Sequence, residues 1–273
     1  MARLHRLRSP LGRPIFAAVP GPTLIVVSDA HLGVTPPAVE AALLAFLETV
    51  PTLGDSLLIN GDLFDFWYSY SRVIPRRGFH VVAALERTAR RIPVLMVGGN
   101  HDRWGGDFWE RDLGLRFHPH RLTFRLGGTT VAAIHGDGLT EPRWRAQMLH
   151  RLINHPITAA VYRTLHPELG LRLVDRLSPH LGDHTPHEQR LTEAARRQQA
   201  WAEALLAREP ELGLVVMGHT HQAACLTTPR GAHYLNPGAW FDGFRYAVAG
   251  ERGAELRRFT PAAPLPPVPA DRR

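Results

Sequence analysis

The 273-residue chain contains no lysine, and all 32 of its basic side chains are arginine. That absence excludes a Schiff-base lysine and a phosphate loop of the Gly-Lys type. There is one cysteine, Cys225, so neither an internal disulfide framework nor a cysteine-rich zinc site can form. No Gly-x-Ser-x-Gly elbow is present, which argues against a serine hydrolase. No apolar run has the length of a membrane span; the longest, such as Leu24 to Val27 and Val94 to Val97, are strand-sized. The arginine-rich start, MARLHRLRSPLGRPIFAAVPGP, holds an apolar patch too short and too broken by proline to read as a signal peptide. The expectation is a cytosolic protein, with attachment to a membrane surface left open.

What is present reads as globular material, 44% hydrophobic and 21% charged. The length suits one large α/β domain or two small ones. The formal charge of +7 is spread along the chain, so a nucleic-acid partner is not expected. No obligate protein partner is indicated either. Arginine does suit phosphate, because its planar fork donates two parallel hydrogen bonds.

Residues 1–22 read as an irregular arm and residues 261–273 as a Pro-rich tail, leaving a domain over 23–260. TLIVVSDAH, DSLLINGD and IPVLMVGGNHD are short β-rich apolar runs. PPAVEAALLAFLETV and GFHVVAALERTARR, between them, carry helical spacing. The βαβαβ rhythm predicts a parallel sheet. RLTFRLGGTTVAAIHGD predicts a hairpin turning on Gly127-Gly128, and LGLVVMGHTH a further strand, with short β segments following to about Val248. From Glu141 to about Arg208 the pattern is helical: a cap inserted over about 141–185, then a core helix in PHEQRLTEAARRQQAWAEALLARE.

In open α/β sheets, ligands bind beyond the carboxyl ends of the strands. The polar residues there are Asp29 and His31; Asp62; Asn100, His101 and Asp102; His135; and His219 and His221. Five successive strand ends thus deliver carboxylate, amide and imidazole groups without thiolate, the donor set of a pair of divalent cations. Manganese, iron, zinc or magnesium would suit it, manganese first. Ions about 3.5–4 Å apart need a carboxylate that both share. The glycines beside these residues (Gly61, Gly98, Gly99, Gly136, Gly218) let backbone pass close to the ions. The histidines at 118, 120, 180, 184 and 187 read as ordinary loop residues, and FDFWYSY as aromatic packing or as a wall of the site.

The combination Asp29-x-His31, Gly61-Asp62-x-x-Asp65, Gly99-Asn100-His101-Asp102, His135 and Gly218-His219-x-His221 resembles the calcineurin-like metallophosphoesterases over roughly residues 23–250. The resemblance implies a sandwich of two mixed β-sheets flanked by helices. It implies that Asp29, His31 and His221 hold one metal, Asn100, His135 and His219 the other, and that Asp62 bridges. Hydroxide between the ions would attack phosphorus in line. His101 would act on the leaving group, with Asp102 orienting its ring. Within the family, GDLFDFWYSYSRVIPRRGF, HGDGL, LHPELGLRL and the inserted cap resemble the UDP-2,3-diacylglucosamine diphosphatases of lipid A synthesis. Those enzymes release UMP and 2,3-diacylglucosamine 1-phosphate, which makes an acylated UDP-sugar the implied substrate and the inner membrane surface the implied setting. One departure is His101, where the best-known proteobacterial members carry Arg.

In the cap, Trp144, Met148, Leu152, Ile153, Val161, Leu165, Leu169, Leu173 and Leu177 are available to line an acyl slot, or to pack the cap on the core. Arg143, Arg145, Arg151 and Arg163 are available to meet phosphate or membrane anions, or to stay solvated. Asp65 is placed to support the metal loop or the substrate by hydrogen bonding. Two rivals are a soluble phosphodiesterase or nucleotide phosphatase on the same scaffold, and a non-catalytic binding module.

Overall fold

The structure is a computed structural model that describes residues 7–8, 14–15, 19–70, 72–139, 148, 152, 155–181, 188–251 and 253–262. Three short runs form its middle: β3 (Leu24–Val27), β4 (Ser56–Asn60) and β5 (Val94–Val97), parallel to one another and buried at every position. They are apolar throughout rather than alternating because both faces are covered. Ile25, Val27, Leu57, Ile59, Val94 and Met96 face a helical layer. Leu24, Val26, Leu58, Leu95 and Val97 face a second sheet. Each such side chain, taken fully out of water, contributes about 1.5–3 kcal/mol.

The helical layer is built from the predicted helices. In α1 (Pro37–Leu53), proline opens the helix and Val39, Leu43, Phe46, Leu47 and Val50 fall on one buried face. Its end is closed at Gly54, whose amide donates to the Val50 carbonyl at 3.1 Å. α2 (Phe79–Ala89) buries Val81, Val82, Ala84 and Leu85 beside it. A short α3 (Phe108–Arg111) brings Trp109 into the same core.

The first sheet runs β13-β12-β3-β4-β5-β6, adding β6 (Arg116–His118), β12 (Arg245–Gly250) and β13 (Gly253–Arg258). The second runs β10-β11-β9-β8-β7, from β7 (Arg121–Leu126), β8 (Thr129–Ile134), β9 (Leu212–Val216), β10 (Ala224–Thr227) and β11 (His233–Asn236). Both are mixed: β12 runs antiparallel to β3, while β8, β9 and β11 are parallel. This is the two-sheet sandwich expected. The hairpin turns at Gly127-Gly128, as its sequence predicts. Within the arm, Leu7–Arg8 (β1) pairs with Pro14–Ile15 (β2).

Among the described residues, α4 (Pro156–Arg163), α5 (Pro167–Leu181) and α6 (Glu188–Arg208) follow β8. α6 closes the outer face of the second sheet through Ala202, Leu205 and Leu206. α4 and α5, with Met148 and Leu152, belong to the described part of the cap. They dock on FDFWYSY through Tyr162, whose ring meets Phe66, Tyr68, Tyr70 and Trp104. The Tyr68 hydroxyl donates to the Ala159 carbonyl at 2.8 Å. FDFWYSY therefore does both things its composition allows: Phe64 and Trp67 sit in the core, while Phe66, Tyr68 and Tyr70 receive the cap.

Candidate metal centre

The strand ends converge. Asp29 and His31 follow β3, Asp62 follows β4, Asn100 to Asp102 follow β5, His135 follows β8, and His219 and His221 follow β9. The first three groups come from one sheet and the last two from the other, so the centre lies across the top of the sandwich. Six non-glycine residues among those described have positive φ, and five belong to this set: Asp29, His31, Asp62, His219 and His221. Left-handed backbone costs of order 1–3 kcal/mol per residue and persists only where the surroundings impose it. Here it breaks each strand abruptly, so that the side chains project past the sheet edge.

The donor atoms crowd two points. His31 Nε2 lies 3.3 Å from His221 Nε2, and Asp29 Oδ1 lies 3.4 Å from the His221 nitrogen and 4.0 Å from that of His31. Asp62, His135 and His219 form a second group. Asp62 Oδ2 stands between the two groups, 3.9 Å from His31 Nε2 and 3.0 Å from His135 Nε2. Asn100 Oδ1 is buried without a hydrogen-bond partner. In folded proteins buried polar atoms are mostly satisfied. Two imidazole nitrogens face to face, an orphaned buried amide oxygen and carboxylates close to several histidines all fit divalent cations seated among them.

The electrostatics agree. Burial holds His31 and His219 down to about 4, the positive charge of neighbouring histidines adding to it, so their lone pairs are free at neutral pH. Burial also opposes ionisation of Asp29 and Asp62, yet the surrounding histidines outweigh it and keep both carboxyls below the usual range. In the metal-free chain, burial depresses His135 but Asp62 and Asp29 more than reverse this, taking it up to about 10. Its Nδ1 faces the Asn60 carbonyl at 2.8 Å, which as N–H donor leaves Nε2 for the cation.

His101 and Asp102 are arranged differently from the expectation. The His101 Nδ1–H donates to the Asp65 carbonyl, and the Asp65 carboxylate is 3.8 Å away. A His101 ring nitrogen reaches the group formed with His31 and Asp62. Asp102 is fully buried and accepts the Leu63 amide at 2.7 Å and the Gly99 amide at 2.9 Å. Burial and the Asp62 charge push its carboxyl up to about 6. The group that braces the ring is thus the Asp65 carbonyl, in the loop after β4, with the Asp65 carboxylate beside it, and Asp102 ties two metal loops together.

Of the glycines, Gly61 and Gly99 matter most. A Cβ on Gly61 would collide with the His135 ring, and one on Gly99 with the Asp62 carboxylate. Arg143, Trp144, Arg145 and Arg151 lie outside the described residues, as does Ile153. Arg163, on α4, is exposed with its guanidinium over the Tyr68 ring at 5.8 Å. His118 is occupied, its Nδ1 accepting the His120 and Arg121 amides at 3.2 and 3.0 Å.

The motif reading passed over the residues that hold the loops from behind. The Ser28 hydroxyl donates to the Asn60 carbonyl at 2.9 Å and also contacts the Asp29 carboxylate. Gln198, completely buried on α6, donates to the Gly218 carbonyl at 2.9 Å and accepts from Thr220, Tyr234 and Asn236. Asn236 donates to the Gly218 carbonyl as well, at 3.1 Å. The available signal was a polar residue closing an apolar run (LIVVS, LLIN, HYLN).

Comparison with known proteins follows this geometry. Residues 22–223 match the family pattern described as calcineurin-like phosphoesterase. Curated relatives of similar length carry the name UDP-2,3-diacylglucosamine hydrolase. That of Porphyromonas gingivalis (strain ATCC BAA-308 / W83) is 29% identical over 81% of this chain and 91% of its own. That of Sodalis glossinidius (strain morsitans) is 28% identical over 86% and 98%. That of Serratia proteamaculans (strain 568) is 26% identical over 79% and 90%. With a family match across most of its length and the donor set in place, the chain is a hydrolase that belongs to the calcineurin-like phosphoesterase family.

Proposed function

We propose that the protein hydrolyses UDP-2,3-diacylglucosamine, adding water across the diphosphate to give UMP and 2,3-diacylglucosamine 1-phosphate. Two divalent cations, manganese first, would be held by Asp29, His31 and His221 and by Asn100, His135 and His219, with Asp62 shared. Bound there, they supply Lewis acidity toward the phosphoryl oxygens and lower the pKa of water. His101, braced by Asp65, holds a proton for the departing phosphate oxygen. Asp102 fixes the spacing of the loops that carry Asp62 and Asn100.

The observation that carries the lipid substrate is the surface of the cap. Met148, Leu152, Ile157, Val161, Leu169 and Leu173 are exposed, Leu152 by 65% and Ile157 by 66%. These side chains do not pack the cap onto the core, since Tyr162 does that. A row of apolar groups left in water marks a surface with an apolar partner, and acyl chains fit it. The names of the relatives agree, and the same apolar row would suit work at the cytoplasmic face of a membrane. No helix among the described residues is long and apolar enough to cross one.

The test is UMP release from UDP-2,3-diacylglucosamine with added manganese, set beside turnover of bis(p-nitrophenyl) phosphate. The expected result is a strong preference for the lipid substrate. The double variant Val161→Glu/Leu169→Glu should reduce lipid turnover at least ~10-fold, about what the loss of one well-packed apolar contact is worth. Equal rates on both substrates, or a lipid rate indifferent to the charged cap, would favour the soluble phosphodiesterase instead.

A further inference from the structure

Beside the metal centre, between α6 and the loop after β8, lies a cavity of about 320 Å³. Its volume is that of a small-ligand cleft. Part of its wall continues the metal loops: Gly136 and Asp137 follow His135, and Arg103 stands three residues after Asn100. Arg103 ties the two, donating to the Gly99 carbonyl at 2.8 Å and to the Asp137 carboxylate. Ile134, Leu139, Leu205 and the indole of Trp201 add apolar and aromatic lining, and His120, Arg121 and Arg208 complete the wall.

The charges do not cancel. Asp137 neutralises Arg103, and Glu209 neutralises Arg121 through bonds of 3.1 and 2.6 Å. Arg208, at the end of α6, is exposed and has no carboxylate partner among the described residues. His120 adds an imidazole at the rim, 3.4 Å from the Arg103 guanidinium. An indole, apolar side chains and an unbalanced guanidinium in one cavity whose wall continues the metal loops together describe a ligand with a planar ring and an anionic phosphate.

We propose that this cavity receives the nucleoside monophosphate half of the substrate, its base against Trp201 and its phosphate toward Arg208 and Arg103. Resting on the diphosphate reading above, this assigns the acyl chains to the cap and the nucleotide to the opposite wall. Aromatic stacking holds a base by its π-face, while the guanidinium fork supplies the charge-assisted contacts a phosphate requires.

Isothermal titration of the full-length, manganese-loaded protein with UMP, uridine and inorganic phosphate tests the site. UMP should bind more tightly than either fragment. Arg208→Glu and Trp201→Leu should each weaken UMP at least ~10-fold, and Trp201→Leu should do so while shifting inorganic phosphate less than ~3-fold. Arg208 is exposed, so its variant stays informative if loss of the indole disturbs α6. In kinetics, both changes should raise KM for the UDP-sugar more than for bis(p-nitrophenyl) phosphate. UMP affinities equal in wild type and Arg208→Glu would overturn the proposal. If UMP binding tracks Trp201 and Arg208 but the acylated UDP-sugar is not cleaved, the cavity stands and the lipid substrate falls. Lipid turnover with an unaltered KM in both variants removes the cavity alone.

Discussion

His101 and Asp102 are neighbours in the chain with different work to do. The His101 ring reaches the metal centre and is steadied by Asp65, so its removal should leave the cations bound. His101→Ala is expected to keep full metal content by elemental analysis while turnover drops roughly 10²–10⁴-fold, the usual worth of a general acid. Loss of metal would make it a ligand instead. Asp102 receives two buried amides and touches no reacting atom. Asp102→Ala leaves both amides unpaired at about 1–3 kcal/mol each. Urea unfolding should show a loss of at least about 2 kcal/mol, and an unchanged midpoint would contradict the bracing role.

At the scale of elements, the second sheet contributes His135, His219 and His221, and their loops are held from behind by α6. Gln198 is the contact point, gripping the Gly218 carbonyl together with Thr220, Tyr234 and Asn236. Partners behind a metal ligand typically change affinity about 10–100-fold when removed. Gln198→Leu keeps the apolar bulk of the side chain but none of these bonds. Manganese affinity should fall within that range, with His219 and His221 still present. An affinity equal to wild type would mean that the loop keeps its shape through the sheet alone. The aromatic seat of the cap is a second joint of this kind, since Tyr162 alone among the described cap side chains fits between Phe66, Tyr68 and Trp104.

For the whole molecule, the candidate metal centre spans both sheets, so cation binding there would be coupled to folding. A ligand that binds only the folded state at 100 times its Kd stabilises it by about 2.7 kcal/mol. Thermal unfolding should shift upward with manganese and back with chelator. Asp62→Ala should lose most of that shift and at least ~10³-fold in turnover, because the Asp62 carboxylate lies 3.9 Å from His31 in one group and 3.0 Å from His135 in the other. A full shift in the variant would place the cations elsewhere.

The parts legible in the chain were those set by local chemistry. Unbroken apolar runs announced β3, β4 and β5 because a strand buried on two faces has no polar side to show. Helical spacing announced α1, α2 and α6, and Gly127-Gly128 announced the hairpin. The seven candidate metal residues were legible because metal chemistry restricts donors to a few side-chain types placed at strand ends. What local pattern does not encode is which sheet a strand joins, and β8 and β9 turned out to form the second one. Nor does it encode long-range partners: Asp65 rather than Asp102 braces His101, Gln198 holds a loop 20 residues away, and Trp201 meets Arg103 across a cavity. Whether the cap leucines face the core or water was equally open in the sequence, because helical periodicity is the same for a buried face and for one awaiting a ligand. Only three-dimensional packing, which left Tyr162 buried and Leu152, Leu165, Leu169 and Leu173 exposed, decided it.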